Sequence, residues 1–420
     1  MTESTPRDAA LLARPGRGSG ERRLRVAVLD HTAELGGAEL ALARLAEAID
    51  PRSCELHLIA FTHGPLVERF RRSPHGAEVI PLAPDVAGLG RAASNNPLTA
   101  VSAAARVLPF VWRLARRIRQ LDVDVVHTTS LKADLLGIPV AVLARRPLVW
   151  HVHDRIAADY LPTSTVRLLR LLARLVPTHV VVNSAATAST LPGVRSLSIA
   201  HPGLAPDQLR ATPRRPETDG TRTVGVLGRI SPTKAQLDFV RAAALVAEGR
   251  PDVRFRIVGA PTFGTEEYEK EVRAEVARLG LTDRVTFTGF VDDPTSELDA
   301  MSVCVHTASI PEPFGQVVAE AMGRGVPVVA TSGGGVDEIL GADAGEVGWL
   351  VPPGDVTALA SAVGEALDDP VEAAARADRA WRRAAAQFTI DRTAAKLTEA
   401  WRSVASVRST SERPKTEQVR

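Results

Sequence analysis

The run PEPFGQVVAEAMGRGVPVV, residues 311–329, sets Glu312 and Glu320 eight positions apart around the start of a helix. Pro313 and Gly315 mark that start, where proline suits the first turn and glycine the approach to it. Glu312 then lies in the loop before the helix and Glu320 about two turns inside, roughly 12 Å away. The amides following Phe314 point outward with about half a positive charge, an anion site with a hydroxyl-binding carboxylate on each side. A ligand built as sugar, diphosphate and ribose has that layout. Taken alone, the spacing also describes two surface glutamates on an amphipathic helix; the flanking PFG and GVPVV favour the site.

A second motif, GRISPTK (228–234), follows an apolar strand. Arg229 as a planar fork and Lys234 as a point charge can neutralise a diphosphate. A third, GGAE (36–39), opens the first helix, and Gly36 and Gly37 allow close backbone approach. Neither GxGxxG nor GxxxxGK[ST] occurs, so a dinucleotide fingerprint and a P-loop are absent. In WHVHD (150–154), His151 and His153 are expected on opposite faces of a strand, with His153 and Asp154 at its cleft end. His153 is either a hydrogen-bonding group near the reacting carbon or a satisfied strand-end histidine. The acidic pair in DVD (122–124) is expected to turn a helix into a strand rather than to hold a metal.

These loops need elements to carry them. Short Val- and Ile-rich runs, LRVAVLD, CELHLIAF, VDVVHTT, PLVWHVHD and THVVVNS, alternate with helical patterns up to residue 200. The pattern restarts with TVGVLGRI, VRFRIVGAP, RVTFTGFV, VCVHTA and VPVVATSGG after a Pro-, Gly- and charge-rich stretch at 201–222. Buried runs alternating with helices predict an α/β fold of two Rossmann-like, doubly wound parallel sheets facing across a cleft. The expected bounds are 22–205 and 206–390, then a closing helix at 391–408 that packs back on the first domain. Residues 1–21 and 409–420 read as disordered tails. In such sheets ligands bind beyond the carboxyl ends of the strands, so every motif above points into one cleft.

Composition narrows the chemistry. The 420 residues carry a net charge of +2, which argues against a nucleic-acid partner. Cys54 and Cys304 lie in apolar runs without metal-ligand spacing, as buried thiols in a reducing compartment do. Residues 1–21 lack the apolar core of a signal peptide, and no apolar stretch reaches the length of a membrane span. A cytoplasmic protein is expected, with peripheral attachment to the inner face of a membrane left open.

The motifs in their order resemble the retaining glycosyltransferases of family 4, which have the GT-B fold. They run from GGAE and VDVVHTT through VHD, NS (183–184), GRISPTK and IVGAP. FTGFV, EPFGQVVAEAM, SGGGVDEIL and GWLVPPGDVTALA complete them, and the resemblance spans about 24–405. It implies that Glu312 binds donor-sugar hydroxyls beside the Phe314, Gly315 and Gln316 backbone, and that Glu320 binds the ribose. It implies that Arg229 and Lys234 hold the diphosphate, Gly36 and Gly37 approach the phosphates or the acceptor from the other domain, and His153 lies near the anomeric centre. The Gly259 and Val291 loops would flank the base. The implied reaction transfers a sugar from a nucleotide-diphosphate sugar to a hydroxyl of a glycan, lipid-linked glycan or small molecule. It retains configuration and needs no metal or other cofactor. A nucleotide-sugar epimerase or a disaccharide synthase on the same fold is the alternative. Ala235 stands where the family often has glycine.

Two basic amphipathic patterns, RVLPFVWRLARRIRQL (106–121) and VRLLRLLARLV (166–176), either pack on a sheet with arginines to water or lie on anionic lipid. The charge splits as well. Residues 22–205 hold 22 basic and 14 acidic residues, or +8, and residues 206–390 hold 19 and 28, or −9. The basic half is expected to attract an anionic acceptor or membrane surface.

Overall fold

The computed structural model describes residues 22–83, 97–212, 220, 222–262, 264–341 and 344–411. The N-terminal tail and residues 412–420 lie outside them. The first half begins with β1 (Leu24–Asp30), α1 (Gly37–Ala48), β2 (Cys54–Ala60), α2 (Pro65–Arg72), β3 (Gly76–Val79) and α3 (Pro97–Leu121). There follow β4 (Val125–Thr128), α4 (Leu131–Ala144), β5 (Leu148–Val152), α5 (Thr163–Leu175), β6 (His179–Val182), α6 (Ala185–Ser189) and β7 (Leu197–Ile199). These strands form one parallel sheet in the order β3-β2-β1-β4-β5-β6-β7.

The second half runs β8 (Arg222–Leu227), α7 (Gln236–Ala247), β9 (Val253–Val258), α8 (Glu266–Arg278), β10 (Val285–Gly289) and α9 (Thr295–Asp299). It continues β11 (Val303–His306), α10 (Gln316–Gly323), β12 (Val328–Thr331), α11 (Gly335–Leu340), α12 (Ala344–Val347) and β13 (Trp349–Val351). The last helices are α13 (Val356–Asp368), α14 (Pro370–Gln387) and α15 (Ile390–Ser411). The second sheet is parallel in the order β10-β9-β8-β11-β12-β13.

The period-two pleat sorts each strand between two cores. Ala27 and Leu29 of β1 pack with α3, α4 and α5, while Val26 and Val28 pack with α1 and α2. Burial on both faces explains why these runs read as continuously apolar. Strand order reverses between β1 and β4 and between β8 and β11, and ligand crevices open at such points.

The chain passes between the sheets twice, and the two passages bond to each other. Leu204 N–H donates to Phe388 O (2.8 Å) and Ile390 N–H to Leu204 O (2.9 Å). Beyond the second passage, α15 lies on the first sheet, burying Leu397, Trp401 and Val404 in the core beside α1 and α2. It extends through Ser411, three residues past the expected 408. Both cysteines are buried and unpaired, and burial pushes both thiols up to about 12. Asp122 is a left-handed turn residue and Asp124 accepts from Arg25 N–H (2.9 Å), as a helix-to-strand turn requires.

Trp401 is fully buried and its indole donates to His127 Nδ1 (3.2 Å). Trp401→Ala is expected to cost about 3–5 kcal/mol, read as a lower urea midpoint. An unchanged midpoint would contradict the placement of α15.

Candidate active site

The second sheet supplies an ion pair. After β8 the chain makes a single 3-10 turn, Pro232–Lys234, and Ala235 takes a left-handed φ of 48° to start α7. This is the position where glycine is frequent, because only glycine enters that region without steric cost. The turn is laced to the loop after β11: Thr307 Oγ1 donates to Lys234 O (2.7 Å) and Ser309 N–H to Thr233 O (3.1 Å). Lys234 Nζ thereby meets Glu312 Oε1 at 2.5 Å, with the carboxylate 13% exposed. His306 Nε2 stands 3.6 Å from the same oxygen. Burial alone would raise the Glu312 carboxyl, but the charges of Lys234 and His306 hold it well below the usual carboxylate range. The Glu312 backbone is fixed by Gly335 N–H, which donates to its carbonyl (2.9 Å). A side chain on Gly334, where φ is +71°, would put Cβ 2.0 Å from that carbonyl.

Two helix N-termini meet beside this pair. Helix α10 starts at Gln316, so Glu320 is its fifth residue, one turn in rather than the expected two. Gln316 and Glu320 share one face of α10, and Gly37 and Arg44, seven apart, share one face of α1. With its amide oriented to satisfy its surroundings, Gln316 donates to Gly37 O (3.0 Å) and accepts from Arg44. Glu320 accepts from Arg44 Nη1 (3.0 Å) and Gln208 Nε2 (3.3 Å). Gly36 precedes α1, and its N–H donates to Glu39 Oε2 (3.1 Å).

The first sheet contributes a histidine row. The His151 and His153 rings lie 4.0 Å apart, tilted by 40°, and His151 lies 5.3 Å from His127. The expectation of opposite faces is therefore corrected: residues two apart on a strand point the same way. Burial lowers His127 to about 3 and His153 to about 4, the latter against the pull of the Asp30 charge, so both are neutral near pH 7. Asn183 Nδ2 donates to His153 O (2.8 Å). Next to His153, Asp154 accepts from the Tyr160 hydroxyl (3.3 Å). Burial raises Asp154, while Tyr160 and the charges of His31 and Arg229 pull it down. Arg229 is exposed and acts across the cleft on Asp154 and Tyr160, joining the two halves electrostatically.

The first domain also grips the Glu312 loop directly. Ser184 Oγ donates to Pro313 O (2.5 Å) and accepts from Thr187 N–H (2.9 Å), while Ala185 N–H donates to Glu338 Oε2 (2.7 Å). Gly259 N–H donates to Gly289 O (3.0 Å), joining the ends of β9 and β10. Val291 follows, half-buried against the core that holds Phe314.

So Glu312, Lys234, Gly37, Gly315, Gln316 and Glu320 converge, with Arg229 and the His153–Asp154 turn facing each other. Sequence patterning missed Arg44, Gln208, His306 and Asp30. Arg44 left one signal, an arginine on the same helical face as Gly37. Asp30, at the end of β1, is fully buried and accepts from Thr129 Oγ1 (2.7 Å).

The Glu39 carboxyl is pushed up to about 7, by burial first and then by Asp30, against the pull of His31 and the Gly36 amide. A raised folded-state value means stability is full below the unfolded value and falls as pH rises through about 7. Glu39→Gln is expected to leave Tm unchanged at pH 4 and raise it at pH 8. Equal shifts at both would contradict this.

Known proteins share this architecture. The family model described as Glycosyltransferase Family 4 matches residues 35–207, and that described as Glycosyl transferases group 1 matches residues 221–369. A 2-deoxystreptamine glucosyltransferase of Streptomyces kanamyceticus is 32% identical over 294 residues, 63% of this chain and 74% of that enzyme. A 2-deoxystreptamine N-acetyl-D-glucosaminyltransferase of Streptomyces fradiae is 29% identical over 80% of this chain and 83% of its own length. The structure of Anabaena Alr3699/HepE in complex with UDP and glucose superposes with a TM-score of 0.77 at 26% identity, covering 90% of this chain and 100% of that one. The matches span both sheets and the loops between them, and the chain belongs to the family 4 (group 1) glycosyltransferases of GT-B fold.

Proposed function

We propose that the enzyme moves a hexose from a nucleotide-diphosphate sugar to an acceptor hydroxyl with retention of configuration and without a metal. One observation carries this: the Lys234–Glu312 pair lies four residues before the N-terminus of α10, whose Gln316 bonds Gly37 in the first turn of α1. Glu312 binds sugar hydroxyls there, and Lys234, Arg229 and the helix amides take up the charge of the departing diphosphate. The acceptor oxygen bonds to the anomeric carbon on the face that the phosphate oxygen leaves, and its proton passes to that oxygen. His153, neutral near pH 7, serves as a hydrogen-bonding group beside the anomeric centre. A UDP-sugar donor is supported by Alr3699/HepE, whose structures hold UDP, glucose or UDP-glucose.

The acceptor side departs from the charge of its domain. Although residues 22–205 sum to +8, the β1 and β5 ends gather three carboxylates, Asp30, Glu39 and Asp154, beside His31 and the facing Arg229. They support a neutral or amine-bearing acceptor over an anionic one, in keeping with the aminocyclitol in the names of two relatives.

With UDP-glucose and 2-deoxystreptamine or other polyol acceptors in EDTA, transfer is expected, and proton NMR of the product should show the donor's anomeric configuration. Glu312→Gln is expected to lower kcat/KM by about 100- to 1000-fold with the fold unchanged by circular dichroism. An inverted product, loss of turnover in EDTA, or near-normal turnover of the variant would each overturn its part of the proposal. Conversion of the donor without acceptor would indicate an epimerase.

A second reading, peripheral attachment at the cytoplasmic face of a membrane, is favoured by one feature. Helices α3 and α5 bury Phe110, Leu114, Val166 and Leu169 on the sheet, yet their outer faces expose Leu108, Trp112, Leu168, Leu171 and Leu175 among arginines. Several of those arginines have structural partners, such as Arg117 on Glu78 and Arg174 on Pro192 O. Among the described residues no helix is long and apolar enough to cross a membrane. Sedimentation with phosphatidylglycerol-containing vesicles at low salt is expected to pull the protein down, and Trp112→Asp with Leu171→Asp to release it. No binding by the unaltered protein would defeat this reading.

A further inference from the structure

We propose that Arg44 is a positioning residue for nucleotide recognition: reaching across the cleft from α1, it sets the Glu320 carboxylate so that one oxygen is left for a vicinal diol. The proposal rests on the reading that Glu320 takes the ribose. Arg44 and Glu320 are 8% and 7% exposed, and Arg44 Nη1 meets Glu320 Oε1 at 3.0 Å. The same Nη1 donates to Gln208 Oε1 (2.6 Å), and Gln208 Nε2 donates to Glu320 Oε1 (3.3 Å). The second guanidinium arm meets the Gln316 side chain, at the N-terminus of α10. One arginine thus ties α1, the residues just after the first passage between the sheets, and the helix that carries both Gln316 and Glu320.

The acceptor sites of the carboxylate are then divided. A carboxylate offers about four lone-pair directions, and Arg44 and Gln208 both use those of Oε1. Among the described residues Oε2 has no hydrogen-bond partner, and it remains for a pair of adjacent hydroxyls. A planar fork can hold three oxygens in one geometry where an ammonium cannot. Because Arg44 belongs to the first domain and Glu320 to the second, this division exists only when the two are brought together. Diol recognition is coupled in this way to closure of the cleft.

The test is the affinity ratio for UDP against 2′-deoxy-UDP, measured by calorimetry on the full chain. The unaltered enzyme is expected to bind the deoxy ligand about tenfold or more weakly, the worth of one hydrogen bond to a carboxylate. Arg44→Lys, which keeps the charge and loses the fork, is expected to bring the ratio near one. Arg44→Met should do the same. If Arg44→Met fails to fold, Arg44→Lys alone decides. A folded Arg44→Lys that weakens both ligands equally and keeps the ratio has lost only structure, and overturns the proposal. If the unaltered enzyme does not discriminate, the ribose role of Glu320 fails, and the proposal falls with it.

Discussion

The contact between Lys234 and Glu312 is the constraint around which the cleft is organised. Glu312 is largely withdrawn from water and Lys234 is half-buried, so each offsets the cost of holding the other's charge away from solvent. The pair joins two loops distant in sequence, one after β8 and one after β11. Each loop is held by further hydrogen bonds: the Thr307 hydroxyl fixes the lysine turn, and the glycines at 334 and 335 let the chain press against the Glu312 carbonyl. A cation and a carboxylate are therefore fixed in place before any ligand arrives, which is the preorganisation that charge-separating reactions need.

The same loop is where the two domains meet. Ser184 bonds Pro313, Ala185 bonds Glu338, and Arg44 bonds Glu320 and Gln208. Two mutually hydrogen-bonded passages of chain join the sheets, and α15 returns to cover the first sheet. Trp401 of that helix bonds His127, which neighbours His151, which packs against His153. The last helix of the second half thus supports a residue at the cleft edge of the first. Motion of one domain against the other must act on the site itself.

Charge illustrates how local environment overrides a sum. The first domain is basic overall, but its arginines largely serve loop carbonyls and surface carboxylates, as Arg170 does for Thr190 and Arg117 for Glu78. At the end of β1 the buried Asp30 lies near Glu39 of α1, and burial and then the Asp30 charge raise Glu39. Long-range steering and recognition at the reacting centre follow different residues here.

Alternating apolar strands and helices, the glycine-marked strand ends and the glutamate spacing were enough for the α/β class, the two doubly wound sheets and the loops that form the cleft. These are local patterns, written by period-two burial and by helix starts, and they survive without tertiary knowledge. Glu312, Lys234, Gly37 and Gln316 were legible because each sits in a short motif. Arg44, Gln208, His306 and Asp30 were not, since a single arginine, glutamine, histidine or aspartate carries no signal until folding supplies a partner. Only the tertiary structure decided that the His151 and His153 rings pack together on one side, that Glu320 lies one turn into its helix against Arg44, and that Asp30 is buried near Glu39. Burial and partner geometry determine those facts, and they depend on chain segments up to 276 positions apart in sequence.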